Sequence, residues 1–237
     1  MPPITHSGSL SPGVAASRLA EVRSQLAEAA AGCGRQASDI ALLAVSKTFP
    51  AAMIKSFLAA GQLSFGESYI QEAREKAAEL DGLAPTGPDW HFIGHLQTNK
   101  AKYAAPIFST LHSLDSLELA AELDKRLAAL SRNMNVYIQV NVAGEEQKSG
   151  LGPADFPAFL EALNRFPRLV PVGLMTMPPY DSDPEESRPH FAALRKLRDQ
   201  YAPHLKGLSM GMSGDFQVAV EEGSTIIRLG TSLFGER

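Results

Sequence analysis

The 237-residue sequence has one cysteine, Cys33, so an internal disulfide and a cysteine-based zinc site are excluded. It has no basic surplus. Its 22 Lys+Arg stand against 26 Asp+Glu, a formal charge of −4, which argues against nucleic acid as a partner. No apolar run approaches the roughly 20 residues of a membrane span. The opening MPPITHSGSLSPG lacks the charged and apolar regions of a signal peptide. Residues 1–12 read as a flexible tail, and a cytoplasmic location is expected. Three catalytic signatures are also missing. No GxGxxG follows the first strand-like run, no GxSxG elbow occurs, and of the histidines at 91, 95 and 112 that raise a metal question, His91 and His95 lie four apart without an HExxH helix or a convincing third ligand. No metal site is expected, and Trp90-His91-Phe92-Ile93 reads as packing and a pocket wall.

What the sequence does have is alternation. Strand-like runs start at Ala41, Leu63, Trp90, Thr110, Asn135, Leu169, Gly207 and Ile226. The first, ALLAVSK, is apolar without a clean period of two, as in a strand covered on both faces. Helical stretches separate the runs, at 50–60, 70–80, 116–130, 153–166 and 185–201, and another at 14–34 precedes them all. Asp215 reads as the N-cap of a short segment that Gly223 closes. The eight starts recur about every 26 residues, close to the repeat of a minimal (β/α)8 barrel. The reading is an α/β fold, a TIM-type barrel over 13–237 with an extra N-terminal helix. A doubly wound open sheet is the competing architecture.

Barrel active sites lie at the C-terminal strand ends. Lys47 ends the first run. Apolar walls would lower its pKa and free a neutral amine for Schiff-base chemistry, although a strand-end lysine also snorkels to water. Gly211-Met212-Ser213-Gly214-Asp215 opens a short helix, and Gly230 and Thr231 are expected on strand eight facing it. Two such loops suit a phosphate, or are simply two tight turns. Arg228, inside an apolar strand, needs a buried acceptor: Glu67, or a ligand's ring nitrogen or anion.

The segments LLAVSKTFP, FGESYIQEAREK, WHFIGHLQTNK, VYIQVNVAGEEQKSGL, GLMTMPP and LSMGMSGD…STIIRLGTSLFGER resemble the pyridoxal phosphate homeostasis protein family, which is related to the N-terminal barrel of alanine racemase. The resemblance implies a barrel binding pyridoxal 5′-phosphate. Lys47 matches the Schiff-base lysine. Ser213, Gly230 and Thr231 match phosphate-binding positions, Arg228 the arginine at the pyridine nitrogen, and Ile93 and Met212 the ring-lining residues. Ser68 stands where the family usually has asparagine, a shorter side chain without the amide donor. The implied role is to hold, buffer or deliver the cofactor, with pyridoxal phosphate-dependent apoenzymes as recipients and no catalysis of its own. The alternative is a racemase of the alanine racemase type. That enzyme needs a tyrosine facing the lysine and a second domain. None of the tyrosines at 69, 103, 137, 180 and 201 is placed by sequence opposite Lys47, and the eight units use up the chain. A monomer is expected.

Overall fold

The structure, a computed structural model, describes residues 10–82, 87–145, 147–179 and 181–236. Residues 1–9 of the expected tail, and Tyr180, lie outside the described residues. Leu10 is already buried, and Ser11 Oγ accepts from the Val14 N–H at 3.3 Å to cap the first helix.

The strands are β1 Ala41–Val45, β2 Ser64–Glu67, β3 Asp89–Phe92, β4 Thr110–Leu114, β5 Met134–Gln139, β6 Leu169–Met175, β7 Gly207–Ser209 and β8 Ile226–Leu229. They are parallel and close in chain order, with β8 returning to β1 from Ala41↔Ile226 to Ala44↔Leu229. The helices are α1 Pro12–Gly32, α2 Ala51–Ala59, α3 Ile70–Leu80, α4 Ala101–Ala104, α5 Leu117–Ala129, α6 Phe156–Leu163, α7 Arg188–Tyr201, α8 Phe216–Glu221 and α9 Thr231–Phe234. The (β/α)8 barrel with a leading helix is therefore the observed fold, and the open sheet is not.

Two layers of packing follow from the strand alternation. Phe65, Phe92, Leu111, Val136, Leu174, Leu208 and Ile227 belong to one continuous core with the buried stripe of α1, formed by Ala15, Leu19, Val22, Leu26 and Ala30. The barrel interior is different in kind. His112 on β4 contacts Ser209 on β7, strands that are not neighbours in the sheet, so the contact crosses the interior. Tyr137 of β5 stacks on His112 with centroids 4.6 Å apart. Gly207 makes room for it, because a Cβ there would lie 2.6 Å from the Tyr137 ring.

One local expectation is corrected and another holds in position only. Gly230 and Thr231 are not on strand eight: β8 ends at Leu229, Gly230 is the N-cap of α9 and Thr231 opens that helix. The turn buries Leu233 and Phe234, and Phe234 packs on Phe49 and Phe57 at 5.0 and 4.7 Å. Continued extension would forfeit that burial. Asp215 is the N-cap residue of α8, as expected, but its side chain makes no capping bond. Its carboxylate is engaged by the Met212 N–H at 2.7 Å and by Ser187 Oγ at 3.0 Å. The α4 and α9 helices are single turns, too short to impose a period on the sequence.

Candidate functional site

Lys47 follows β1 by two residues and is half-buried. The chain on either side of it is clamped. Ser46 Oγ donates to Glu67 Oε1 at 2.6 Å, and Lys76 Nζ donates to the Ser46 carbonyl at 2.7 Å. Lys76 also meets Glu67 Oε1 at 2.7 Å and Glu72 Oε1 at 2.6 Å. The Thr48 N–H donates to Glu72 at 2.5 Å. Thr48 has φ +70°, a region a β-branched residue avoids unless its surroundings hold it there. The turn carrying Lys47 is thus fixed by a buried ionic cluster from β2 and α3.

This cluster overturns one sequence alternative. Glu67 is not the partner of Arg228. Alternation sends Gly66 inward, against Leu43, and Glu67 outward to Lys76 of α3. Burial raises the Glu67 carboxyl above its ordinary range, against the lowering effect of Lys76.

Arg228 on β8 is buried, and among the described residues it forms no salt bridge. Its Nη1 donates to Ser209 Oγ at 2.7 Å and its Nη2 to the Thr176 carbonyl at 3.0 Å. Burial pushes its pKa down to about 10, opposed by Asp215 and Tyr137, so it is a cation at neutral pH.

Lys47, Ser68, Ile93, Met212 and Arg228 line one cavity of about 590 Å³ at the C-terminal strand ends. Ser68 reaches it because Gly94 admits the Ser68 backbone, whose carbonyl would lie 2.5 Å from a Cβ at 94. Ser213, Gly230 and Thr231 are not in the lining. Ser213 lies in the β7–α8 loop, while Gly230 sits beside Val45 of the cavity wall, its Cβ position 3.6 Å from that side chain. Pairing of β7 with β8, and the Arg228 N–H bonding the Gly211 carbonyl at 3.0 Å, bring the two loops to the same side of the barrel. The N–H groups of Ser213 and Gly214 meet no acceptor among the described residues and are available to an anion. A larger hollow of about 860 Å³ lies on the outer wall between α3 and α4, away from these groups.

The sequence reading missed part of the wall. Tyr69, His95, Lys148, Ser149 and Met177 also line the cavity. Lys148 and Ser149 come from the β5–α6 loop, which is tied down by Asn141 Nδ2 to the Glu145 carbonyl at 2.8 Å and Gln139 Nε2 to the Ser149 carbonyl at 2.8 Å. The segment VNVAGEEQKSGL held this signal, but its polar residues follow no period. Tyr69, which the sequence did not set opposite Lys47, shares the cavity with it and is 57% exposed. Of the three histidines weighed as ligands, His91 and His112 are inside the barrel, while His95 is at the rim, where its Nδ1 lies 3.2 Å from Ser149 Oγ. Among the described residues no three His, Cys, Asp or Glu side chains are grouped to share a metal ion, and no helix is long and apolar enough to cross a membrane.

A closed parallel barrel with a lysine at the end of β1 and an arginine within β8, both lining one cavity, defines a protein built like the N-terminal domain of alanine racemase. The model of that family, alanine racemase N-terminal domain, matches residues 18–237. Within it, the chain belongs to the pyridoxal phosphate homeostasis proteins. It is 44% identical to the one from Aquifex aeolicus, over 94% of this chain and 98% of that protein. It is 41% identical to that of Escherichia coli K12, over 94% and 96%. Among solved structures, PipY of Synechococcus elongatus with pyridoxal phosphate bound superposes with a TM-score of 0.81 at 40% identity, covering 93% of this chain and 100% of PipY. Alanine racemase from Corynebacterium glutamicum shares the fold, with a TM-score of 0.68 at 15% identity over 95% of this chain and 61% of the enzyme.

Proposed function

We propose that this chain binds pyridoxal 5′-phosphate and serves its homeostasis, holding the cofactor for other proteins rather than transforming amino acids with it. The observation that carries this reading is the pairing of Lys47 and Arg228 on one cavity whose wall includes Ile93 and Met212. The donor set fits the cofactor. When bound, pyridoxal phosphate supplies an aldehyde that condenses reversibly with a primary amine and releases water. Lys47 is the amine the clamped turn presents. Val45, Ile93 and Met212 offer apolar surface to a flat ring. Arg228 offers N–H donors to the ring nitrogen. Ser213, with the unengaged N–H groups of Ser213 and Gly214 and the neighbouring Gly230 and Thr231, would hold the phosphate.

Arg228 also bears on the choice between carrier and enzyme. A guanidinium that stays charged donates to the ring nitrogen and discourages its protonation, which weakens the ring as an electron sink. Tyr69 is the one observation on the side of a racemase, since it shares the cavity with Lys47. Its exposure of 57% leaves it without the fixed geometry a proton donor needs. Incubation of the loaded protein with L-amino acids in deuterated water separates the readings. A carrier gives no stereoinversion or Cα exchange above free cofactor, and a racemase gives both. The carrier reading extends to a cytoplasmic monomer that passes the cofactor to apoenzymes. Sedimentation of the loaded protein and reactivation of a stripped pyridoxal phosphate enzyme test those two parts.

A further inference from the structure

The barrel interior holds a row of polar groups that the cofactor reading does not use. Asp89 Oδ2 lies 2.9 Å from His91 Nε2, and His91 Nδ1 lies 2.9 Å from His112 Nε2. His112 Nδ1 lies 2.8 Å from Ser209 Oγ, which accepts from Arg228 Nη1 at 2.7 Å. The row starts at the first residue of β3, at the N-terminal end of the barrel, and ends on the arginine of the cavity wall at the other end. Ser209 and His112 are wholly buried.

With one proton on each imidazole, hydrogen-bond chemistry gives the row one direction. Arg228 can only donate, so Ser209 Oγ accepts from it, and the Asp89 carboxylate at the other end can only accept. His91 then carries its proton on Nε2 and donates to Asp89, and its Nδ1 accepts from His112 Nε2–H. The Ser209 hydrogen is left for His112 Nδ1. The neighbours favour the same arrangement. Burial, with the Arg228 cation, keeps His112 neutral, and the His91 hydrogen bond holds the Asp89 carboxyl below its ordinary range, with Ser109 as a further donor to it. Tyr137, stacked on His112, and Asp215 are the other ionisable groups whose charge bears on Arg228.

We infer that Asp89, His91, His112 and Ser209 form a one-directional hydrogen-bond relay through the barrel that positions the Arg228 guanidinium for the ring nitrogen of the cofactor. The inference rests on the reading that pyridoxal phosphate occupies the cavity. Ser209 and His112 are positioning residues in this scheme. The relay holds Arg228 Nη1 from behind through Ser209 Oγ.

Nitrogen-15 NMR of the histidine side chains, on the full chain before and after loading with pyridoxal phosphate, tests this. His112 should be neutral and protonated on Nε2 before loading, with His91 Nδ1 accepting from it, and the ring resonances of both should shift on loading. Ser209→Ala should abolish the loading shift at His91 and weaken cofactor binding about tenfold, the scale of one hydrogen bond to a charged group. Asp89→Asn keeps an acceptor for His91 and should preserve both tautomers, whereas Asp89→Ala should lose them. His112 protonated on Nδ1 overturns the relay, as does a wild-type protein that loads while its histidines stay silent. Failure of the wild-type protein to load at all overturns the cofactor reading instead, and with it the relay's role.

Discussion

Lys76 Nζ lies 2.7 Å from Glu67 Oε1, with side-chain exposures of 6% and 0%. Neither residue touches the cavity, yet both tie down Ser46, the residue before Lys47. Breaking a buried pair strands a charge, and Glu67 Oε2 already has no partner. Lys76→Met is therefore expected to destabilise the fold by about 3–5 kcal/mol in urea denaturation, and to weaken cofactor binding as the Lys47 turn loosens.

The same pair sets a pH dependence. Glu67 is raised from its ordinary 4.5, chiefly by burial, so the folded chain binds its proton more tightly than the unfolded one. That contribution to stability is complete below the unfolded pKa and is lost as pH rises through the folded value. Glu67→Gln should flatten this loss. Urea midpoints measured from mildly acidic to neutral pH should fall less in the variant than in the parent.

Asp89 carries the opposite sign. The hydrogen bond from His91 is the main cause of its lowering from 3.8. Its contribution is present above 3.8 and is lost as pH falls through the folded value. Asp89→Asn should remove this acid-side slope, which denaturation in acidic buffers reads directly.

Phe234 links the core to the phosphate side. It is fully buried against Phe49 and Phe57 and holds the turn that follows Gly230. Phe234→Ala should cost about 3–5 kcal/mol of stability. At temperatures where the variant is still folded, it should also bind the phosphorylated cofactor less tightly.

Ser213 should distinguish vitamers. Ser213→Ala is expected to weaken pyridoxal phosphate about tenfold, as for one hydrogen bond to a charged group, and to leave the weaker binding of pyridoxal unchanged. Equal affinity of the parent for the two vitamers, measured by fluorescence titration, would contradict a phosphate role for these loops.

Most of the barrel was legible because each unit carries its own local signal. The eight strand starts were read within about a residue of the observed ones, since apolar runs between capped helices have few other packings. Lys47 and Arg228 stood out because a charge at the end of, or inside, an apolar run demands a reason. What stayed hidden depends on which strands face each other. Lys76 carries no signal of its own until α3 lies over β2, and Glu67 was set against Arg228 rather than Lys76. His91 read as packing and His112 only as part of a metal question, and their pairing is set by barrel closure rather than by spacing. Gly230 and Thr231 were misplaced because Thr-Ser-Leu-Phe is apolar enough to continue a strand, and only the aromatic pocket formed by Phe49 and Phe57 turns it into α9.

The central claim is that Lys47 holds pyridoxal phosphate. Borohydride reduction of the loaded protein, followed by peptide mass mapping, tests it most directly. The account predicts a single reduced pyridoxyl phosphate adduct on the peptide containing Lys47, lost in Lys47→Ala. An adduct on another lysine of the cavity wall, such as Lys148, or undiminished labelling of Lys47→Ala, would contradict it.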